Sequence, residues 1–191
     1  MNLDNQQMIV KLMDAGISVE PGMSDAEVDR AETVFQFRFP REIREFLSVG
    51  VPTGSCFFNY RDLSQGNLIH FSEFRESIER KFRFDLANNR NDMLEMLGQK
   101  LGFAEDSDFF DDAVVEYLND SVKLIPFYAH RCFFDGMDDM PIVSFWQATD
   151  VIFYGGSFEN YLEHEFLKHD RILENVQERM KNTGIWYDII W

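Results

Sequence analysis

The sequence contains few cysteines, and they are arranged neither as a disulfide framework nor as a zinc site. Only Cys56 and Cys132 occur in the 191 residues, far apart in the chain and outside any C-x-x-C pair. Each is followed by two phenylalanines, a context typical of buried structural thiols. We therefore expect two inert thiols in a reducing cytoplasm.

Long apolar runs and an N-terminal targeting pattern are also missing. The chain begins Met1-Asn2-Leu3-Asp4, without the basic region and apolar stretch of a signal peptide. No run reaches the roughly 18 apolar residues that a membrane-spanning helix needs. We therefore expect a cytoplasmic protein with no membrane partner.

Basic residues are scarce as well: 18 Lys and Arg stand against 34 Asp and Glu, for a formal net charge of −16. Such a surface repels phosphates, which argues against nucleic acid and anionic membranes as partners. The segment 101–167 holds 14 acids and 2 bases, and thus −12 of the total. A charge asymmetry of this kind indicates a partner-binding region.

Apolar residues are plentiful, at 45% of the chain with 20 phenylalanines, and the length suits one globular domain. Helical spacing predicts a first helix over 5–14. A capping box of Ser24 and Glu27 opens a second helix, and Pro40 lies in the first turn of a third that runs from Arg41 to Val49.

The rest of the chain is predicted to mix short strands with helices. Phe82, Phe84 and Leu86 alternate with polar residues, which favours a strand. Other strands are predicted at Ser55–Tyr60, Asn67–Phe71, Val122–Tyr128, Arg131–Phe134, Pro141–Trp146 and Val151–Tyr154. Further helices are predicted at 72–80, 93–101, 109–117 and about 158–181. This order of elements predicts an α+β fold.

Motifs that carry chemistry are absent. His164 and His169 are five residues apart, which on a helix separates them by about 140°, so they cannot share a zinc ion. A calcium loop starting at Asp106 fails because Asp111 stands where the loop needs glycine. No phosphate-binding glycine motif or nucleophile elbow occurs. We therefore expect no metal, no cofactor and no enzymatic activity.

Four segments, in the same order and spacing, resemble the SUKH superfamily. This fold is shared by yeast cell-wall synthesis regulators of the Smi/Knr type and by many bacterial immunity proteins. The similar segments are M-S-D-A-E-V (23–28) leading to F-P-R-E-I-R-E-F-L (39–47), R-F-D-L-A-N-N (83–89), L-I-P-F-Y-A-H-R-C-F (124–133) and S-F-W-Q-A-T-D-V-I-F-Y-G (144–155). The resemblance covers about 22–167 of a single SUKH-like domain, and 168–191 form a C-terminal extension.

The chain departs from the family pattern in two places. Residues 90–120 lack the usual Trp-rich stretch, and Ala129 replaces a glycine. The resemblance implies a mixed, largely antiparallel sheet with packed helices and a protein-binding role without enzyme activity. Bacterial members are thought to neutralise cognate toxins, often nucleases.

Three functional hypotheses stay open. The first is an immunity-type protein whose acidic face binds a toxin. The second is a regulatory or scaffolding module for cell-wall synthesis or other housekeeping partners. The third is a small-ligand binder or enzyme that uses the polar residues of the family segments, which are Asp85, Asn88, His130 and Arg131.

The candidate partner-binding residues are acids of the charged segment. The first group lies where the family pattern is lost, and consists of Glu105, Asp106, Asp108, Asp111 and Asp112. The second group lies in a predicted turn between strands, and consists of Asp135, Asp138 and Asp139. Plain solvated charge that aids solubility is the alternative for each of them.

Overall fold

The computed structural model describes residues 3–103 and 107–191, and confirms the α+β prediction. The described helices are α1 (Leu3–Asp14), α2 (Asp25–Phe35), α3 (Arg41–Val49), α4 (Gln65–Asn88), α5 (Arg90–Leu101), α6 (Phe110–Asp120), α7 (Phe158–Leu167), α8 (Val176–Met180) and α9 (Ile185–Ile190). The described strands are β1 (Ser18–Pro21), β2 (Gly50–Thr53), β3 (Leu124–Tyr128), β4 (Arg131–Phe134), β5 (Ile142–Gln147) and β6 (Asp150–Gly155).

The main sheet is antiparallel, in the order β3-β4-β5-β6, and separates two hydrophobic clusters. Because side chains alternate along a strand, Phe133 packs into one cluster while Cys132 and Phe134 pack into the other. The first cluster also takes buried residues of α1, α2, α3 and α7. The second takes those of α5, α6, α8, α9 and most of α4.

The N-terminal helices form where local signals predict them. The Glu27 amide donates to the Ser24 hydroxyl at 3.3 Å, and the Ser24 amide donates to the Glu27 carboxylate at 2.8 Å. Pro40 is the residue just before α3 rather than part of its first turn. The antiparallel pair of β1 and β2 was not predicted.

Helix α4 corrects several sequence predictions at once. The predicted strands at Asn67–Phe71 and around Phe82, Phe84 and Leu86 and the separate helix at 72–80 are wrong, because one helix capped by Ser64 covers all of them. Its buried face repeats with helical spacing through Phe71, Ile78, Phe82 and Leu86. The predicted strand Ser55–Tyr60 is also wrong; it contributes only an isolated bridge to β3.

The four strands of the main sheet form where predicted, within two residues at each end. The long helix predicted over 158–181 is wrong, because α7 ends at Leu167. Lys168 then adopts a left-handed conformation. The chain beyond it is held by the Asn160 side chain, which accepts from the Ile172 amide at 2.9 Å.

The C-terminal extension packs against the rest of the domain. Ile185, Trp186 and Ile189 of α9 are buried in the second cluster, and the Trp186 indole N–H donates to the Val122 carbonyl. Among the described residues, no helix is long and apolar enough to cross a membrane.

Candidate functional site

The most distinctive charged feature is a row of acids that begins just before α6 and continues along it, which we call the acidic stripe: Asp108, Asp112, Glu116 and Asp120. They are four residues apart and all exposed, so the three on α6 lie along its solvent side. The opposite side of α6 is buried in the second cluster. No basic side chain among the described residues forms an ion pair with any of the four. Asp108 and Asp112 were predicted, whereas the four-residue spacing that adds Glu116 and Asp120 was missed.

Only the beginning of the acidic stripe helps α6 to form, because Asp112 lies in the first turn, where a carboxylate is favourable to the helix dipole. Like charges four residues apart destabilise a helix by about 0.2–0.5 kcal/mol for each pair. Asp120 is the last residue of α6, where a carboxylate also opposes the helix dipole. Helix stability therefore explains Asp112 but not Glu116 or Asp120, for which partner binding is an alternative explanation.

An exposed aromatic ring lies beside the first acid of the stripe. Phe109 is 74% exposed, although its neighbour Phe110 is completely buried. Aromatic residues are enriched in protein–protein interfaces relative to the rest of the surface. Phe109 and the acidic stripe therefore form one continuous candidate surface for a partner.

Other acids of the first group differ from the stripe. Asp111 forms an ion pair with Arg90, which also donates to the Ser107 carbonyl at 3.0 Å. Asp111 thus ties α5 to the start of α6. The predicted residues Glu105 and Asp106 lie outside the described residues.

The second group of acids has an intramolecular role. Asp135 accepts from the Arg38 amide and Asp138 from the Arg41 amide, each at 2.7 Å. Asp139 forms an ion pair with the Arg41 side chain at 3.2 Å. These three residues hold the turn between β4 and β5 against the start of α3, a function that the sequence prediction did not consider.

Asp85, a polar residue of the family segments, is fully buried. Its Oδ1 accepts from the Asn89 side chain at 2.7 Å. Its Oδ2 accepts from the amide and hydroxyl of Thr149, at 3.0 and 3.2 Å. The carboxylate thereby fastens α4 to the turn between β5 and β6.

His130 and Arg131 lie at a separate place, where β4, β6 and α7 meet. The buried Arg131 guanidinium donates to Glu165 through Nε at 3.0 Å and lies 3.6 Å from the centre of the Tyr154 ring. Another of its nitrogens contacts Nε2 of His130. The structure therefore does not bring Asp85 together with these residues in a shared site. Among the described residues, no group of three or more His, Cys, Asp or Glu side chains could hold a metal ion.

The environment of His130 leads us to expect that the free energy of unfolding depends on pH. Burial, and then the charge of Arg131, lowers the pKa of His130 below its ordinary value of 6.5. The imidazole therefore binds a proton more readily in the unfolded chain than in the folded one. The contribution of neutral His130 to the free energy of unfolding is complete above pH 6.5 and is lost as the pH falls below that value. We expect His130→Gln to flatten the decline in the free energy of unfolding below pH 6.5, measured by urea denaturation. His70→Gln, at an exposed histidine, is the control, and equal slopes for the two variants would contradict the prediction.

Comparison with known proteins adds no relative. The chain matches no family model, no curated protein and no solved structure. The resemblance to the SUKH superfamily therefore depends on the four sequence segments alone. One of them, 83–89, lies at the end of α4 rather than on the strand that we predicted.

Proposed function

We propose that this chain is a non-enzymatic, immunity-type protein that binds a cognate toxin through the acidic stripe. The observation that carries the proposal is the row of exposed acids, none of which forms an ion pair with a basic side chain that the structure describes. Of the other predicted acids that the structure describes, Asp111, Asp135, Asp138 and Asp139 are each engaged within the chain.

The charge pattern indicates the chemistry of the partner. Carboxylates four residues apart on a helix recur about every 6 Å along its axis. Such a row is complementary to a cleft lined with Lys and Arg, as in a nuclease that binds phosphates. Electrostatic complementarity accelerates association and selects the partner.

Two further observations support the proposal. The family that the sequence resembles consists largely of protein-binding domains, so the fold class suits a binding role. The acidic stripe also lies entirely within 90–120, where the chain departs from the family pattern. A segment that varies on a shared scaffold is where the specificity of a binding module is expected.

The proposal predicts a toxin gene beside this one, and it is tested by co-expression with the toxin domain that such a gene encodes. We expect the wild-type chain to restore growth and Asp112→Lys/Glu116→Lys to fail, because the reversed charges would repel a basic cleft. The matched control is Asp14→Lys/Glu45→Lys, which makes the same charge change at exposed acids of α1 and α3. The control should protect like the wild type, and thermal melts should show all three chains folded.

Two outcomes would contradict the immunity role. One is full protection by the Asp112→Lys/Glu116→Lys variant. The other is formation of a stable complex without any protection, which would favour the scaffolding hypothesis.

A further inference from the structure

A groove of about 520 Å³ lies between the end of α2, the first half of α4, the end of α6 and the start of β3. We call it the α4 groove. Its apolar lining includes Phe35, Phe71, Ile78, Leu118, Leu124 and Trp186. Small-molecule sites in proteins have volumes of about 300–1,000 Å³ and mostly apolar walls. The α4 groove has the size and lining of such a site.

The groove lies along the seam between the two hydrophobic clusters. Phe35 and Phe71 belong to the first cluster, whereas Leu124 and Trp186 belong to the second. The Trp186 indole is fixed by its hydrogen bond to the Val122 carbonyl. Trp186 is only 1% exposed, so it belongs to the rigid floor of the groove.

The groove is lined by four charged residues, of which two carboxylates are paired and two cations have no partner among the described residues. Glu76 and Glu79 are each paired within α4, with Arg80 at 3.6 Å and Arg83 at 2.7 Å. Two cations also line the groove, Arg75 of α4 and Lys123 between α6 and β3. Neither forms a hydrogen bond or an ion pair through its side chain with any residue that the structure describes. These two cations give the groove a place where an anion could pair.

We propose that the α4 groove binds a small carboxylate with an aromatic or aliphatic body. The body packs on the apolar lining, and the carboxylate pairs with Arg75 and Lys123. The planar guanidinium of Arg75 suits a carboxylate, since its two parallel N–H groups match the two oxygens.

The site is separate from the surface proposed to bind a toxin. Helix α6 contributes Leu118 and Asn119 to the groove, whereas Asp112 and Glu116 do not line it. Failure of one proposal therefore does not decide the other.

The test uses 1-naphthaleneacetate and its uncharged amide, measured by isothermal titration calorimetry. With roughly 14 non-hydrogen atoms, the carboxylate is expected to bind with a Kd of about 1 mM or tighter. The amide should bind about tenfold more weakly, because it retains the naphthalene ring and loses the charge.

Three variants locate the binding. Arg75→Gln/Lys123→Gln should weaken binding of the carboxylate about tenfold and leave that of the amide unchanged. The matched control, Lys11→Gln/Lys168→Gln, removes the same charge from residues that do not line the groove and should bind like the wild type. Ser72→Trp fills the groove from an exposed position and should abolish binding of both compounds.

Several results would overturn the proposal. The first two are that the carboxylate does not bind at about 5 mM and that the amide binds with the same affinity as the carboxylate. The other two are that Lys11→Gln/Lys168→Gln loses as much affinity as Arg75→Gln/Lys123→Gln, and that Ser72→Trp binds both compounds like the wild type. A wild-type dimer that Ser72→Trp dissociates would show that a second copy of the chain occupies the groove, which would also overturn it.

Discussion

Replacing Arg131 with alanine is expected to lower the free energy of unfolding by about 3 kcal/mol. The guanidinium is buried, donates to Glu165 and stacks on Tyr154. Its loss leaves the Glu165 carboxylate without its partner, and removing one member of a buried ion pair is strongly destabilising. We place the effect at the lower end of the usual range because the Glu165 side chain keeps 16% exposure.

A double-mutant cycle separates the pair from its surroundings. Arg131→Met/Glu165→Leu should unfold within about 1 kcal/mol of the wild type, since apolar residues of similar volume often replace a buried pair at little cost. Urea denaturation of Arg131→Met, Glu165→Leu and the double variant measures the coupling free energy between the two side chains. Additive losses in the double variant would show that Arg131 and Glu165 do not act as a pair.

Asp85→Ala is expected to lower the free energy of unfolding by about 3 kcal/mol. The substitution removes the buried acceptor of three donors, which are the side-chain amide of Asn89 and the backbone amide and hydroxyl of Thr149. It also leaves a small cavity where α4 meets the turn between β5 and β6.

The control for Asp85 lies three residues away on the same helix. Asn88 is exposed, and its side chain donates to the Phe84 carbonyl within α4, so Asn88→Ala should change the free energy of unfolding by no more than about 0.5 kcal/mol. Urea denaturation compares the two. The structural role of Asp85 would be refuted by equal effects of the two substitutions.

The parts of the fold that sequence predicts well are those with local signals. The capping box of Ser24 and Glu27 forms as predicted, because both partners lie within one helical turn. Helix α4 was missed because its pattern is ambiguous over a short window. The alternation of Phe82, Phe84 and Leu86 suggests a strand, whereas Phe84 is in fact 50% exposed and the buried positions follow a helical period. The buried Asp85 adds to the ambiguity, since it places a charge on the apolar face.

The sequence predicted the region of the candidate site but only some of its residues. Charge counting along the sequence pointed to 101–167, and Asp108 and Asp112 do belong to the acidic stripe. The roles of Asp135 and Asp138 depend on contacts with Arg38 and Arg41, which are distant in sequence. Such contacts have no local signature, so a sequence cannot separate an acid used within the fold from one left free for a partner.

The central claim, that the acidic stripe binds a basic toxin, is tested most directly by association kinetics at several salt concentrations. We expect Asp112→Lys/Glu116→Lys to slow association at least about tenfold at low salt and to reduce its salt dependence. The Asp14→Lys/Glu45→Lys control should retain most of the wild-type rate and salt dependence. Equal association rates for the two variants at every salt concentration would contradict the account.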